Sequence, residues 1–282
     1  MQLLDTGPSP RGWHRLQTVL MCPQQYAFNY EYGEGGLEGK AHKSESPALI
    51  RGSMMHLALA HHYIRVKCEQ QGKNPNEWFP PKDALEMKAV KMGDAWEQEL
   101  DRIKACYDHY ITHYSFEKLK ILEVERLAYT KIGEFLFTGR FDLVYEDSSG
   151  GVWVCDHKTT SRVTSSQKKF YGVSGQLIGY AYMGREIYGD RFKGMILNQI
   201  QHTPPCKFMR IQLPPAPNLM RQFPQIVIDA ETRIKELKES GRSPNQWPMA
   251  ANELTCFHRY GACKFLDNCR WGAEPPVDWT PF

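Results

Sequence analysis

The segment GRFDLVYEDSSGGVWVCDHKTT, residues 139–160, decides how this chain is read. Apolar runs flank a Gly/Ser-rich turn at 147–151, a pattern that predicts two strands joined by a hairpin or a longer loop. The first strand carries Asp142, and the second ends in Asp156-His157-Lys158. Side chains alternate along a strand, so Asp156 and Lys158 are expected on one face and His157 on the other. Two carboxylates and a lysine converging at the end of a hairpin are what metal-assisted phosphodiester cleavage needs. The carboxylates hold a hard divalent cation, and the ammonium orients a water and offsets developing negative charge. An isolated D-x-K is more often a solvated strand end, so the rest of the chain has to decide.

Gly139-Arg140-Phe141-Asp142 followed by Asp156-His157-Lys158-Thr159 resembles the PD-(D/E)XK nuclease superfamily. The closest fit is its RecB-like branch, where G-x-x-D, a short hairpin and D-x-K-T follow in that order. The resemblance implies an α/β fold with a central mixed sheet flanked by helices. It implies that Asp142 and Asp156 bind Mg²⁺ or Mn²⁺, that the carbonyl of His157 completes the coordination, and that Lys158 is the catalytic lysine. Gly52-x-x-x-His56 on a predicted helix and Gln176-x-x-x-Tyr180 on another are further features of that branch. They imply His56 as a metal ligand, and Gln176 and Tyr180 as catalytic residues that orient the lysine or the DNA. Taken alone, a histidine on an apolar helix reads as a packed core residue, and an amide four residues from an aromatic is unremarkable.

Composition sets the outer bounds. At 282 residues with 41% hydrophobic and 12% aromatic content, the chain can bury a substantial core and is not disordered. A net charge of +3 permits nucleic-acid binding without arguing for it. No apolar run has signal-peptide or membrane-spanning length, so a cytoplasmic protein of prokaryotic or viral type, with no membrane partner, is expected. Eight cysteines in a reducing compartment point to metal ligands or core positions rather than disulfides.

Residues 12–30 read as helical, with a new helix starting at Cys22-Pro23. The glycine-rich GEGGLEGKAHKS (33–44) lacks the P-loop pattern, so no nucleotide is assigned to it. Helices are expected over 49–71, over 82–114 as one long mixed-charge segment, over 174–189 and over 217–240. ILEVERLAYT (121–130) alternates as a strand, with Glu123 and Glu125 on one face. Glu125 reads either as an auxiliary acidic residue of the site or as an outward-facing polar one. Residues 194–203 and 207–213 read as a strand pair around Pro204-Pro205. After Lys158, the hydroxyl-rich loop with Arg162, Lys168 and Lys169 could contact DNA phosphates, though surface loops often look like this.

Cys256, Cys263 and Cys269 form C-x6-C-x5-C, and Cys22 stands in Cys-Pro-x-x-Tyr. This distribution resembles the iron-sulfur subset of RecB-like nucleases, which includes the AddB subunit and the CRISPR-adaptation nucleases. It implies a [4Fe-4S] cluster joining the segments near 12–30 and 250–272. The gap of six departs from the two residues commonest in that subset, and a four-thiolate Zn²⁺ site competes. Cys68, Cys106, Cys155 and Cys206 are scattered and are expected in the core.

The motifs follow one another in family order from Cys22 to Cys269. The expectation is therefore a single-domain, metal-dependent DNA exonuclease over 1–282, acting on single strands or duplex ends in recombination, repair or replication. It would work alone or with a separate helicase, annealing or recombination protein. The rival readings are a non-catalytic, zinc-stapled nucleic-acid-binding module and a structural subunit of a larger DNA-processing complex.

Overall fold

The computed structural model describes residues 1–31, 46–258 and 261–272, so the glycine-rich stretch 33–44 lies outside the described residues. The helices are α1 (Trp13–Met21), α2 (Pro23–Tyr30), α3 (Pro47–Gln70), α4 (Pro81–Met92), α5 (Asp94–His113), α6 (Gln167–Tyr171), α7 (Gly175–Tyr188), α8 (Pro217–Glu239), α9 (Glu253–Cys256) and α10 (Leu266–Trp271). The strands are β1 (Lys120–Ile132), β2 (Phe135–Glu146), β3 (Val152–Thr160), β4 (Phe192–Gln201), β5 (Lys207–Leu213), and the short β6 (Phe257–His258) and β7 (Gly261–Ala262). The chain forms two compact units, residues 1–12 with 44–224 and residues 13–43 with 225–282.

The first unit is built on a five-stranded sheet of order β1-β2-β3-β4-β5. Every neighbouring pair is antiparallel except β3 and β4, which run parallel. Parallel strands need a crossover, and α7 supplies it. β4 is buried along nearly its whole length, as expected of a strand covered on both faces. One core joins α3, α4 and α5 to the sheet through residues such as Met54, Leu85, Ile103, Tyr110, Leu143 and Ile196. Proline begins α3 at Pro47, where a missing N–H costs nothing, and Ser46 caps it by accepting from Leu49 N.

Two local expectations need correction. The segment 82–114 is not one helix: Gly93 breaks it with φ of +83°, a conformation open to glycine and strained for other residues. Within the loop after Lys158, residues Gln167–Tyr171 form the short helix α6.

The second unit packs α1 and α2 with the later part of α8. Tyr26 stacks on Trp247 with centroids 5.9 Å apart, and Phe28 meets Phe265 at 5.0 Å. Arg15 pairs with Glu231, and Lys238 lies 2.8 Å from Glu31.

Candidate active site

The hairpin ladder positions the centre. β2 and β3 pair from Glu146↔Val152 to Leu143↔Cys155 and no further. Asp142 and Asp156 therefore face each other at the first position where the ladder has opened. The main-chain N–H of His157, released from the ladder, donates to Asp142 Oδ2 at 2.7 Å. From α3, His56 Nε2 donates to the carbonyl oxygen of His157 at 2.8 Å, and His56 Nδ1 lies 3.5 Å from Asp142 Oδ2. Carbonyl 157 thus points into the centre, as a ligand would.

Glu125 joins from β1. Its backbone has φ of +50°, which interrupts the strand's alternation, and its side chain is buried. Ligand atoms of His56, Glu125 and Asp142 all lie within 4.8 Å of one another. Hard carboxylate oxygens with one imidazole and a nearby carbonyl suit Mg²⁺ or Mn²⁺, the imidazole favouring Mn²⁺.

Asp156 and Lys158 share one side of β3, with Lys158 Nζ 2.8 Å from Asp156 Oδ2. Beyond this ion pair the buried oxygen has no hydrogen-bond partner among the described residues. Lys158 Nζ donates to Gln176 Oε1 (3.1 Å), and Gln176 Nε2 donates to the Tyr180 hydroxyl (3.2 Å). A relay from α7 thereby fixes the lysine. Tyr180 itself is buried, which leaves little ring for stacking on a base.

The charges are strongly coupled. Burial disfavours the His56 imidazolium, but the Asp142 charge and hydrogen bond outweigh it and push the ring up to about 9. Burial, reinforced by the Asp142 charge, pushes Glu125 up to about 9. Burial works against the Asp142 carboxylate, yet its contacts with His56 hold it well below the usual carboxylate range. Asp156 is raised by burial and by Asp142, against the pull of Lys158. Lys158 is raised: burial is outweighed by the Asp156 and Asp142 charges.

The His157 ring points away from the centre. Its Nδ1 accepts from Asn198 Nδ2 at 2.9 Å, and it stacks on Tyr63. Burial pulls it down to about 3, so it is neutral. Asn198 Nδ2 also donates to the Tyr110 hydroxyl, and Arg210 Nη2 donates to both the Tyr63 and Tyr110 hydroxyls. This polar network locks the residue whose carbonyl faces the carboxylates. A cavity of about 900 Å³ beside it, between α3, α5 and β1, holds none of the site carboxylates.

A family model of the PD-(D/E)XK nuclease superfamily matches residues 13–270. The chain belongs to that superfamily. Among solved structures, it resembles one described as "Putative exonuclease" from Eubacterium rectale, at 14% identity and a TM-score of 0.52. The match covers 100% of this chain and 96% of that one, and it shows likeness of fold. A second structure, SSO0001, aligns at 15% identity over 70% of this chain and 81% of that chain, with a TM-score of 0.31 that supports no argument. No curated protein matches.

The remaining residues singled out in this PD-(D/E)XK chain lie elsewhere. Arg162, Lys168 and Lys169 are exposed on the loop after β3 and on α6. Cys22, Cys256, Cys263 and Cys269 line one cavity of about 30 Å³ in the second unit. Burial, then the proximity of Cys22, Cys263 and Cys256, pushes the Cys269 thiol up to about 11. Among the described residues no helix is long and apolar enough to cross a membrane.

Glu125 was legible only as one of two alternatives. The structure removes the outward-facing one and separates it from Glu123, which pairs with Lys67 and Arg126 nearer the surface.

Proposed function

We propose that this PD-(D/E)XK chain is a divalent-metal-dependent deoxyribonuclease, an exonuclease acting on single-stranded DNA or duplex ends in recombination, repair or replication. The observation that carries this reading is the convergence of His56, Glu125 and Asp142 beside the Asp156–Lys158 pair. Asp142, Asp156, Glu125, His56 and the carbonyl of His157 are the groups that would hold Mg²⁺ or Mn²⁺. When bound, such a cation supplies Lewis-acid activation of water and neutralises charge on the phosphate.

The protein's own groups do the rest. Lys158, raised by its carboxylate neighbours, stays an ammonium at neutral pH. It therefore orients the attacking water and offsets charge on the phosphorane rather than acting as a base. Gln176 and Tyr180 keep it aimed. The exonucleolytic mode rests on the resemblance to the RecB-like branch, and a helicase, annealing or recombination protein is the kind of partner that branch implies.

The four cysteines fit a second metal group. A single tetrahedral zinc with Zn–S near 2.3 Å needs thiolates roughly 4 Å apart. The resemblance implies a [4Fe-4S] cluster on these four thiols, with a single zinc as the competing occupant. Such a cluster would clip residues far apart in sequence and offset the loop-closure cost of bringing them together.

Digestion of end-labelled linear DNA and closed circular DNA, with Mg²⁺ or Mn²⁺, tests the activity. Progressive loss of the linear substrate with the circle intact is expected. Cutting of the circle would replace the exonuclease reading with an endonuclease, and no cleavage with either ion would overturn the nuclease reading.

A further inference from the structure

Residues 2–11 run along the first unit, anchored at both ends. Gln2 N donates to Glu77 O (2.7 Å), and Leu4 N donates to His61 Nε2 (3.1 Å). At the other end Ser9 Oγ donates to Thr138 O (3.3 Å), and Arg11 N donates to Thr138 Oγ1 (2.9 Å). Between these anchors Asp5 meets Arg140 of β2. Arg140 Nη1 donates to the Asp5 carbonyl (2.7 Å) and Nη2 to Asp5 Oδ2 (2.8 Å).

The pair is uneven. The Arg140 side chain is 16% exposed and that of Asp5 is 78% exposed. Arg140 Nε is buried with no acceptor, so the guanidinium has a donor to spare. Arg140 lies two residues before Asp142 on β2 and pairs across the ladder with Leu127, two residues beyond Glu125 on β1. A forked cation with an unused donor therefore borders the carboxylate centre, and a mostly solvent-exposed carboxylate occupies it.

We propose that Arg140 binds a DNA phosphate next to the cleavage centre, and that Asp5 holds its guanidinium until the phosphate displaces it. This rests on the nuclease reading above. The physical basis is that a guanidinium fork accepts carboxylate and phosphate oxygens in the same geometry. An exposed ion pair is weak, so Asp5 is a displaceable occupant. A phosphate, with more oxygens, also gives Nε its acceptor.

The test is the sign of two substitutions, read by anisotropy of a labelled single-stranded oligonucleotide in EDTA and by steady-state cleavage. Arg140→Gln should weaken binding about tenfold or more and lower the slope of log Kd against log salt by about one. Asp5→Asn should tighten binding about two- to fivefold and lower KM with kcat unchanged. A purely structural pair predicts the same sign for both, a loss, because each change breaks the same contact. Weaker or unchanged binding in Asp5→Asn overturns the proposal, and Asp5 is exposed enough that this variant folds. Should Arg140→Gln fail to fold, Arg140→Lys keeps the charge without the fork and should still weaken binding; wild-type binding there overturns the proposal. A wild-type chain that neither binds nor cleaves DNA would instead remove the nuclease reading itself.

Discussion

Asp142 and Asp156 stand opposite each other at the first position where β2 and β3 cease to pair. The opening is what makes a site of them. Within a closed ladder the N–H of His157 would be spent on a partner strand; here it donates to Asp142 Oδ2. The main chain thereby aims one carboxylate, while the next carbonyl is turned toward His56.

Asp142→Ala, Asp156→Ala and Lys158→Ala should each lower DNA cleavage by roughly 10²–10³ or more, the usual effect of removing one aligned electrostatic contact. DNA binding should persist. Rates with Mg²⁺ and Mn²⁺, on variants shown to be folded by circular dichroism, check this. A wild-type rate in any one would sink the assignment of that residue.

Gln176→Leu removes the acceptor that holds Lys158. A hydrogen bond to a charged group contributes about 1.5–3 kcal/mol, so kcat should fall about tenfold or more with KM nearly unchanged. Tyr180→Phe deletes only the hydroxyl that accepts from Gln176 and should cost less. A large drop in melting temperature with normal kcat would show that the relay is packing.

Metal binding should release protons at neutral pH. His56 and Glu125 are both pushed up to about 9, so the metal-free site carries protons at pH 7, whereas a ligand must give its proton up. Affinity for Mn²⁺ should therefore rise as pH increases from 7 towards 9. Calorimetry in two buffers of different ionisation enthalpy should detect at least one proton released per ion. A pH-independent affinity with no proton release would contradict the ligand set.

Protein purified without oxygen should be brown and hold about four irons per chain. Changing Cys22, Cys256, Cys263 or Cys269 to Ala should bleach it, and changing Cys68 or Cys206 should not. Stoichiometric zinc in a colourless protein would replace the cluster with a single-ion clip, and absence of metal would remove both.

Gly139→Ala should harm both stability and activity. A Cβ there would lie 2.4 Å from Met183 Cε and 2.7 Å from Tyr180 Cε1. The methionine tip can yield, but shifting the Tyr180 ring disturbs its bond with Gln176. A stability cost of about 1–3 kcal/mol is expected from overpacking, with kcat reduced alongside it. Unchanged melting and kcat would show that the ring moves freely.

The sequence by itself determined what is local. The helix start at Pro23, the hairpin around 147–151, and the shared side of Asp156 and Lys158 all follow from proline, turn chemistry and two-residue alternation, and each is present. A locally strong signal also misled: the run of charges over 82–114 concealed the single glycine whose positive φ ends α4. Only the tertiary structure decided which distant groups converge. His56 reaches both Asp142 and carbonyl 157 because α3 packs on the sheet, and Asp5 meets Arg140 because the N-terminal segment is anchored at Thr138. Glu125 turns inward because its own backbone leaves the extended region, an event that alternation cannot encode. Periodicity reports neighbours along one element; strand register and helix docking set distances between elements, and those are long-range contacts that no single window of sequence contains.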